Sequence, residues 1–425
     1  MSAGTNPETP TLSSTPSPET TGTPPVVRRR RGRTGLYAVI GVIIVVIVLV
    51  AVGASTNWYG LQKSSTKAAA CTSGVTLQGD GAQIAAPLMG VWTSAYASDT
   101  SNQVNYPASG SGTGLTHFTS TSIDFAMTDN PLTPAERTAM PAQPLSLPFV
   151  GGALAIIYNL GALPGLPLSG HLNLTGAVLA GIYNLNITKW NDPAIAAINP
   201  GVTLPDQTIW TVHRGDAAGT TYVLSDFLSQ SSTYWASHES KGMLINFPSS
   251  PNQNAPHGNS AVINAVVGKQ YSIGYSDLTD LLASASPPQY AAIQNPAGNY
   301  IVPTLPSTES AVADKVQSMA TIPASTGDWF NVSMVKANGS ADYPIATFLY
   351  MYVYQATDKG FSPTLEKSQV LVQWVHWTLT TGQGLADESQ PSQLYYAPLP
   401  ASIITVDEAG IQTMTFNGAA IPACT

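Results

Sequence analysis

Charge is scarce in this sequence: only 9% of its 425 residues are Asp, Glu, Lys or Arg, against ~25% in ordinary globular chains. Ser, Thr, Asn and Gln stand in for them, so the surface is solvated by neutral polar groups, as suits an extracytoplasmic protein. Basic residues form no stripe outside the N-terminal region, and a formal net charge of −8 with a pI near 5.1 excludes nucleic acid as a partner. An anion held by such a chain is captured locally, against an unfavourable overall field. The six histidines, His117, His171, His213, His238, His257 and His376, lack any metal-ligand spacing such as His-Glu-x-x-His. They are read as structural or surface residues, with no metal and no other cofactor expected. Ser111 lacks the flanking glycines of a nucleophile elbow, Ser109 and Thr113 standing in those places, so no catalytic residue is assigned.

A chain of this length exceeds one ordinary core, so at least two domains are expected. Residues 1–34 are a Thr-, Ser- and Pro-rich segment ending in the cluster Arg28-Arg29-Arg30-Arg31-Gly32-Arg33, read as a disordered cytoplasmic tail. Residues 35–54 follow as a transmembrane anchor. The uncharged run Leu36–Ala54 spans roughly 28 Å as a helix, close to the ~30 Å of a hydrocarbon core. Arginines on its N-terminal side keep that end cytoplasmic and place everything after Ala54 outside, and Trp58 and Tyr59 suit the membrane interface. A cleaved signal peptide is the competing reading, although its apolar core usually covers only ~7–15 residues. Residues 55–74 form a linker.

With only two cysteines, at most one intrachain disulfide is possible. Cys71 and Cys424 bracket the globular part, and an oxidising compartment favours a bridge between its ends. Lipid attachment at Cys71 is the rival, but Ala68-Ala69-Ala70-Cys71 is a poor signal, separated from the apolar run by Lys63 and Lys67.

From Val75 onward strand-like and helix-like segments alternate. Leu88, Val91, Trp92, Ala95 and Tyr96 recur at helical spacing behind Pro87, Ile123–Met127 reads as a strand ending at Asp129, and Asp192-Pro193 is an N-cap and N1 pair. Repeated strand, turn and helix indicate an α/β fold with mainly parallel sheets and sites at strand C-termini. Three small-residue turns lie at such ends: Gly79-Asp80-Gly81-Ala82-Gln83, Gly110-Ser111-Gly112-Thr113-Gly114, and His213-Arg214-Gly215-Asp216-Ala217-Ala218-Gly219-Thr220-Thr221. In the third, a helix start offers free N–H groups and a positive dipole end, Arg214 adds a charged fork, and Asp216 is placed to pin that fork. Together they point to a small tetrahedral anion.

These turns occur in order with Val104-Asn105-Tyr106, Ile123-Asp124-Phe125-Ala126-Met127-Thr128-Asp129-Asn130-Pro131-Leu132, Lys189-Trp190-Asn191-Asp192-Pro193-Ala194-Ile195 and Ser272-Ile273-Gly274-Tyr275. Over roughly residues 75–415 the chain resembles the substrate-binding proteins of high-affinity phosphate ABC importers, the PstS family. The resemblance implies a two-lobed, type II-like periplasmic-binding-protein fold: 75–157 as the first part of lobe I, 158–319 as lobe II, 320–415 as the second part of lobe I, and 416–425 as a C-terminal tail. It implies no enzymatic activity, a monomer, inorganic phosphate as ligand, and ABC permease and ATPase subunits as partners. It also implies a phosphate shell of Gln83, Ile84, Ser111, Gly112, Asp129, Arg214, Ala218, Gly219 and Thr220, with Asp216 orienting the arginine. The sequence departs from the family where Gln83-Ile84 replace the usual Thr-Phe and Ala217-Ala218-Gly219-Thr220 replace Gly-Ser-Gly-Thr. Two hydroxyl donors are lost and one amide is gained. At about 0.5–1.5 kcal/mol for a neutral hydrogen bond, the exchange implies a weaker affinity or a changed anion preference.

Within that shell Asp129 sets selectivity. A carboxylate repels a fully ionised anion by something like 4 kcal/mol at ~4 Å and an effective dielectric of about 20, whereas a protonated phosphate donates a hydrogen bond to it. Arsenate shares that proton; sulfate does not. Binding of another oxyanion is thus the nearer alternative, and a secreted phosphatase using Ser111 the more distant one.

Overall fold

A computed structural model of the chain describes residues 73–167, 170–361, 363–387 and 393–422. The expected tail and anchor at 1–54, the linker up to residue 72, and Cys71 and Cys424 lie outside these residues. Among the described residues no helix is long and apolar enough to cross a membrane.

Three short strands begin the chain's first sheet: β1 (Thr76–Gly81), β2 (Gln103–Asn105) and β3 (Phe125–Thr128). β1 pairs in parallel with both of the others, and each strand hands over to a helix. The helix Ala86–Thr100 begins with Pro87 in its first turn and buries Leu88, Met89, Trp92 and Tyr96 on one face, as the apolar spacing predicts. The helix Ser111–Thr119 lies so close to β1 that a Cβ on Gly114 would fall 2.4 Å from Gly81 Cα.

The organising element is β4 (Pro144–Asn159), sixteen residues rich in Leu, Ile and Val and buried along almost its whole length. Its N-terminal part pairs antiparallel with β12 (Ala346–Tyr354), which in turn pairs antiparallel with β3. Its C-terminal part, Leu154–Asn159, pairs antiparallel with β8 (Ser272–Asp277), which continues in parallel to β6 (Trp210–Val212) and β7 (Gln253–Asn254). The strand order is therefore β2-β1-β3-β12-β4-β8-β6-β7, and one strand belongs to both halves. The mainly parallel expectation holds only for the outer strands, β2-β1-β3 and β8-β6-β7; every pairing made by the two long central strands β4 and β12 is antiparallel. Gly151 and Gly152 sit at the changeover, where a Cβ would come within 2.7 Å of Val312 Cγ2 and 2.9 Å of Leu349 Cδ1 respectively.

Among the described residues, the two largest apolar cores follow this division. The first gathers Leu77, Trp92, Phe118, Phe125, Leu147, Tyr350, Trp374 and Ile403; the second gathers Ile156, Leu179, Trp190, Leu224, Phe227, Trp235 and Tyr275. The fold is thus two-lobed and α/β. Leu154 and Ile156, in the stretch expected to close the first part of lobe I, pack in the second core, because β4 has already crossed there. Leu305, Val312 and Val316, in the stretch 158–319 expected in lobe II, pack in the first, because the helix Leu305–Ser318 lies against β4 and β12. Residues expected as a tail from 416 include the hairpin Thr415–Phe416 with Ala419–Ala420.

Candidate functional site

Four helical segments begin at the same place between the lobes. From lobe I come the 3-10 turn Gln83–Ala85 and the helix Ser111–Thr119; from lobe II come the helices Gly219–Ser231 and Asn259–Gly268. None of the four has a side chain of its own capping its first turn. Elsewhere Thr133, Thr175, Asp192, Ser232, Thr304 and Thr364 cap the helices that follow them. Uncapped helix starts that converge on one spot form an electropositive cradle of backbone N–H groups.

The space between them is an empty volume of about 160 Å³ lined by Gln83, Ile84, Gly110, Ser111, Asp129, Arg214, Ala218, Gly219, Thr220 and Asn259. Six of its ten lining residues carry polar or charged side chains, so it suits a small ion rather than an apolar ligand. A larger cavity of about 290 Å³ beside Asp124 and Lys367 is a weaker candidate, since those two already pair with each other at 2.9 Å.

Arg214 is the one full positive charge in the lining and is almost completely buried. Asp216 takes it in a fork, Nε donating to Oδ1 at 2.7 Å and Nη2 to Oδ2 at 2.5 Å. Burial pushes the Asp216 carboxyl up, but the bonds from Arg214 and its charge outweigh this and hold it below the ordinary range. The remaining edge of the guanidinium reaches Asn259 Oδ1 at 2.5 Å and Thr220 Oγ1 at 3.5 Å. The Tyr275 hydroxyl accepts from the Arg214 backbone N–H at 3.0 Å and bonds Thr221 Oγ1 at 2.7 Å, tying the turn to β8.

On the facing wall the Ser111 hydroxyl donates to Asp129 Oδ1 at 2.8 Å, and Thr347 Oγ1 donates to the Asp129 backbone carbonyl at 3.0 Å. Burial pushes the Asp129 carboxyl up to about 6, with the Ser111 bond and the Arg214 charge pulling the other way. The site therefore holds a carboxylate that titrates near neutrality opposite an arginine that a second carboxylate already balances. An anion placed here meets uncapped N–H groups and a guanidinium on one side and a proton acceptor on the other.

Of the residues expected from sequence, Gln83, Ile84, Ser111, Asp129, Arg214, Ala218, Gly219 and Thr220 all line this volume. Gly112 stands just behind Gly110, which takes the lining position, and its N–H donates across the cleft to Ala217 O at 3.4 Å. The Ala218 N–H is likewise engaged, with Met243 O at 2.9 Å, and the Ile84 carbonyl accepts from the Tyr396 hydroxyl at 2.5 Å. Asn259 escaped sequence reasoning. It follows Gly258 in an unremarkable Gly-Asn-Ser helix start with no charge to mark it, and only the fold brings it to Arg214.

A two-lobed α/β fold closing on an anion cleft defines a periplasmic-binding-protein architecture, and residues 64–379 match the family model described as the PBP superfamily domain. The phosphate-binding protein PstS of Xylella fastidiosa (strain 9a5c) is 31% identical over 343 residues, covering 80% of this chain and 85% of its own. That of Pasteurella multocida (strain Pm70) is 31% identical over 342 residues, covering 80% and 91%. The chain belongs to the PstS family of phosphate-binding proteins. In architecture it is similar to the high affinity periplasmic phosphate-binding protein PfluDING bound with phosphate, with a TM-score of 0.57 at 18% identity, covering 79% of this chain and 93% of that one.

Proposed function

We propose that this protein binds inorganic phosphate in the interlobe cleft and delivers it to an ABC import system, with permease and ATPase subunits as partners and no chemistry performed on the ligand. The observation that carries the reading is the convergence of four helix starts, none capped by the side chain of its own N-cap residue, and the Arg214–Asp216 fork on a volume of about 160 Å³ that also contains the Ser111–Asp129 pair. The names of the relatives support phosphate over other oxyanions. Gln83, Ile84, Ser111, Asp129, Arg214, Ala218, Gly219 and Thr220 form the proposed shell, Gly112 supports it from behind, and Asp216 orients the arginine. Titration calorimetry of the purified chain against phosphate, arsenate and sulfate tests it. Saturable phosphate binding with sulfate rejected is the expected result, and heat from sulfate alone would reject phosphate as ligand.

The lobes are proposed to exchange the chain near residue 153 on β4 and again between 302 and 305, with Val335, Tyr343 and Ile345 reaching back into the second core. Leu36–Ala54 is proposed as an anchor with its N-terminus cytoplasmic and the binding lobes extracytoplasmic; protease digestion of intact cells checks that orientation. A Cys71–Cys424 bridge is proposed to close the fold, consistent with Val75 and Ile421 packing on the same core. Mass spectrometry without reduction would show free thiols or a lipid adduct at Cys71 if it is absent.

A further inference from the structure

One side chain ties the two lobes together at the rim of the cavity. Gln83 belongs to lobe I, opening the turn that follows β1, and Asn259 belongs to lobe II, opening the helix Asn259–Gly268. The N-cap of that helix is Gly258, at φ +91°, which has no side chain with which to cap it. The helix takes its cap from the opposite lobe instead: the Asn259 N–H donates to Gln83 Oε1 at 3.0 Å. Glycine at 258 leaves room for this approach, since a Cβ there would lie 3.2 Å from the same Oε1.

Asn259 is in turn the residue that orients the free edge of Arg214. Its Oδ1 accepts from Arg214 Nη1 at 2.5 Å, while its Nδ2 donates to Asp277 Oδ2 at 2.7 Å and Asp280 Oδ2 at 3.2 Å. Two carboxyl groups on one side and a guanidinium on the other leave the amide a single sensible orientation. Asp277 is itself fixed, its Oδ1 capping the next helix through the Asp280 N–H at 2.8 Å. An unbroken chain of bonds thus runs from Gln83 through Asn259 to the arginine that faces the anion.

We propose that Gln83 is a positioning residue that latches the lobes, so that closing the cleft and setting the Arg214 guanidinium are one event, and that it biases the ligand-free protein toward the closed form. Glutamine reaches across. A neutral hydrogen bond formed only on closure shifts the closed-to-open ratio by about two- to twelve-fold, and an anion that binds only the closed form inherits that factor in its affinity.

The affinity part of this inference rests on the cleft being a phosphate site; the conformational part does not, and the experiment separates them. Gln83→Leu keeps the bulk of the side chain and removes the acceptor. In the full chain in detergent, pulsed electron resonance between spin labels on exposed Ser98 and Ser237, attached through an azide-bearing amino acid, reports the distance between the lobes. Without phosphate, the variant is expected to show a several-fold larger open population than the protein with Gln83. Inorganic phosphate is then expected to bind about two- to twelve-fold more weakly, through faster release. An unchanged ligand-free distance distribution would overturn the latch, and so would a loss of affinity without any change in that distribution. If neither protein binds phosphate, the functional reading fails while the distance measurement still decides the latch.

Discussion

The carboxylate of Asp129 on one lobe rests against Gly219 on the other: a Cβ on Gly219 would fall 1.3 Å from Asp129 Oδ1. This contact exists only because residue 219 has no side chain, and it brings a titrating acid to the positive end of the helix Gly219–Ser231. Closure, charge and proton are therefore joined at one point, and each can be perturbed separately.

Gly219→Ala perturbs closure. Alanine is a better helix former than glycine by up to ~1 kcal/mol, so the ligand-free lobe II should melt no lower than before. The new methyl, however, cannot coexist with Asp129 in the closed cleft. The variant should remain open and show no phosphate-induced rise in Tm, while small-angle scattering with millimolar phosphate shows no contraction. A normal thermal shift would mean that the Asp129 side chain can leave Gly219 without loss of binding.

Asp129→Asn perturbs charge. Burial raises the carboxyl to about 6 from an ordinary carboxylate value, so the folded protein binds this proton more tightly than the unfolded chain. Its stabilising effect is complete at low pH and is lost as pH rises through about 6, leaving an unfavourable buried charge on the order of 3 kcal/mol at pH 8. The ligand-free asparagine variant should thus melt above the parent by several degrees at pH 8 and lose that advantage near pH 4. Equal differences at both pH values would show that Asp129 is not the titrating group.

The proton also governs selectivity. Above pH 6 the ionised Asp129 accepts from protonated phosphate and repels sulfate; as pH falls through about 6 it gains a proton and the repulsion fades. Competition calorimetry should find sulfate binding strengthening between pH 7.5 and 5 in the parent. In Asp129→Asn it should stay flat and the phosphate-to-sulfate ratio should shrink. A ratio that is the same in both proteins would reduce Asp129 to a turn residue.

Much of this site was legible in sequence because its parts are local. Arg214, Asp216, Gly219 and Thr220 fall within seven residues, and the rule that a strand end, small turn and helix start make an anion site needs no tertiary information. Asp192-Pro193 announced its helix for the same reason, and the Asp192 side chain does accept from the Ala194 N–H at 2.8 Å. Asn259 and the Gln83 bridge were not legible, since they depend on which helix start faces which across the cleft, and that is decided by β4 passing between the lobes. The lobe boundary proposed from the two cores differs from the one expected from sequence for a related reason. The helix Leu305–Ser318 follows strands of lobe II directly, and only its packing of Leu305, Val312 and Val316 assigns it to lobe I.

Arg214→Ala perturbs the cradle itself. The guanidinium satisfies both oxygens of Asp216 and the amide oxygen of Asn259, so it supports the ligand-free fold as well as the cradle. Removing it leaves a partly buried carboxylate and a buried amide without their partner. Breaking a fully buried pair costs about 3–5 kcal/mol; Asp216 retains some solvent, so a loss of about 1–3 kcal/mol is expected after screening. The variant should melt several degrees below the parent without ligand. Millimolar phosphate should then raise its Tm hardly at all, where the parent gains several degrees through linkage. The two effects distinguish the roles: a lowered melt with a normal phosphate shift would make Arg214 a structural ion-pair partner only, and an equal melt with no shift would make it a ligand whose loss the fold absorbs.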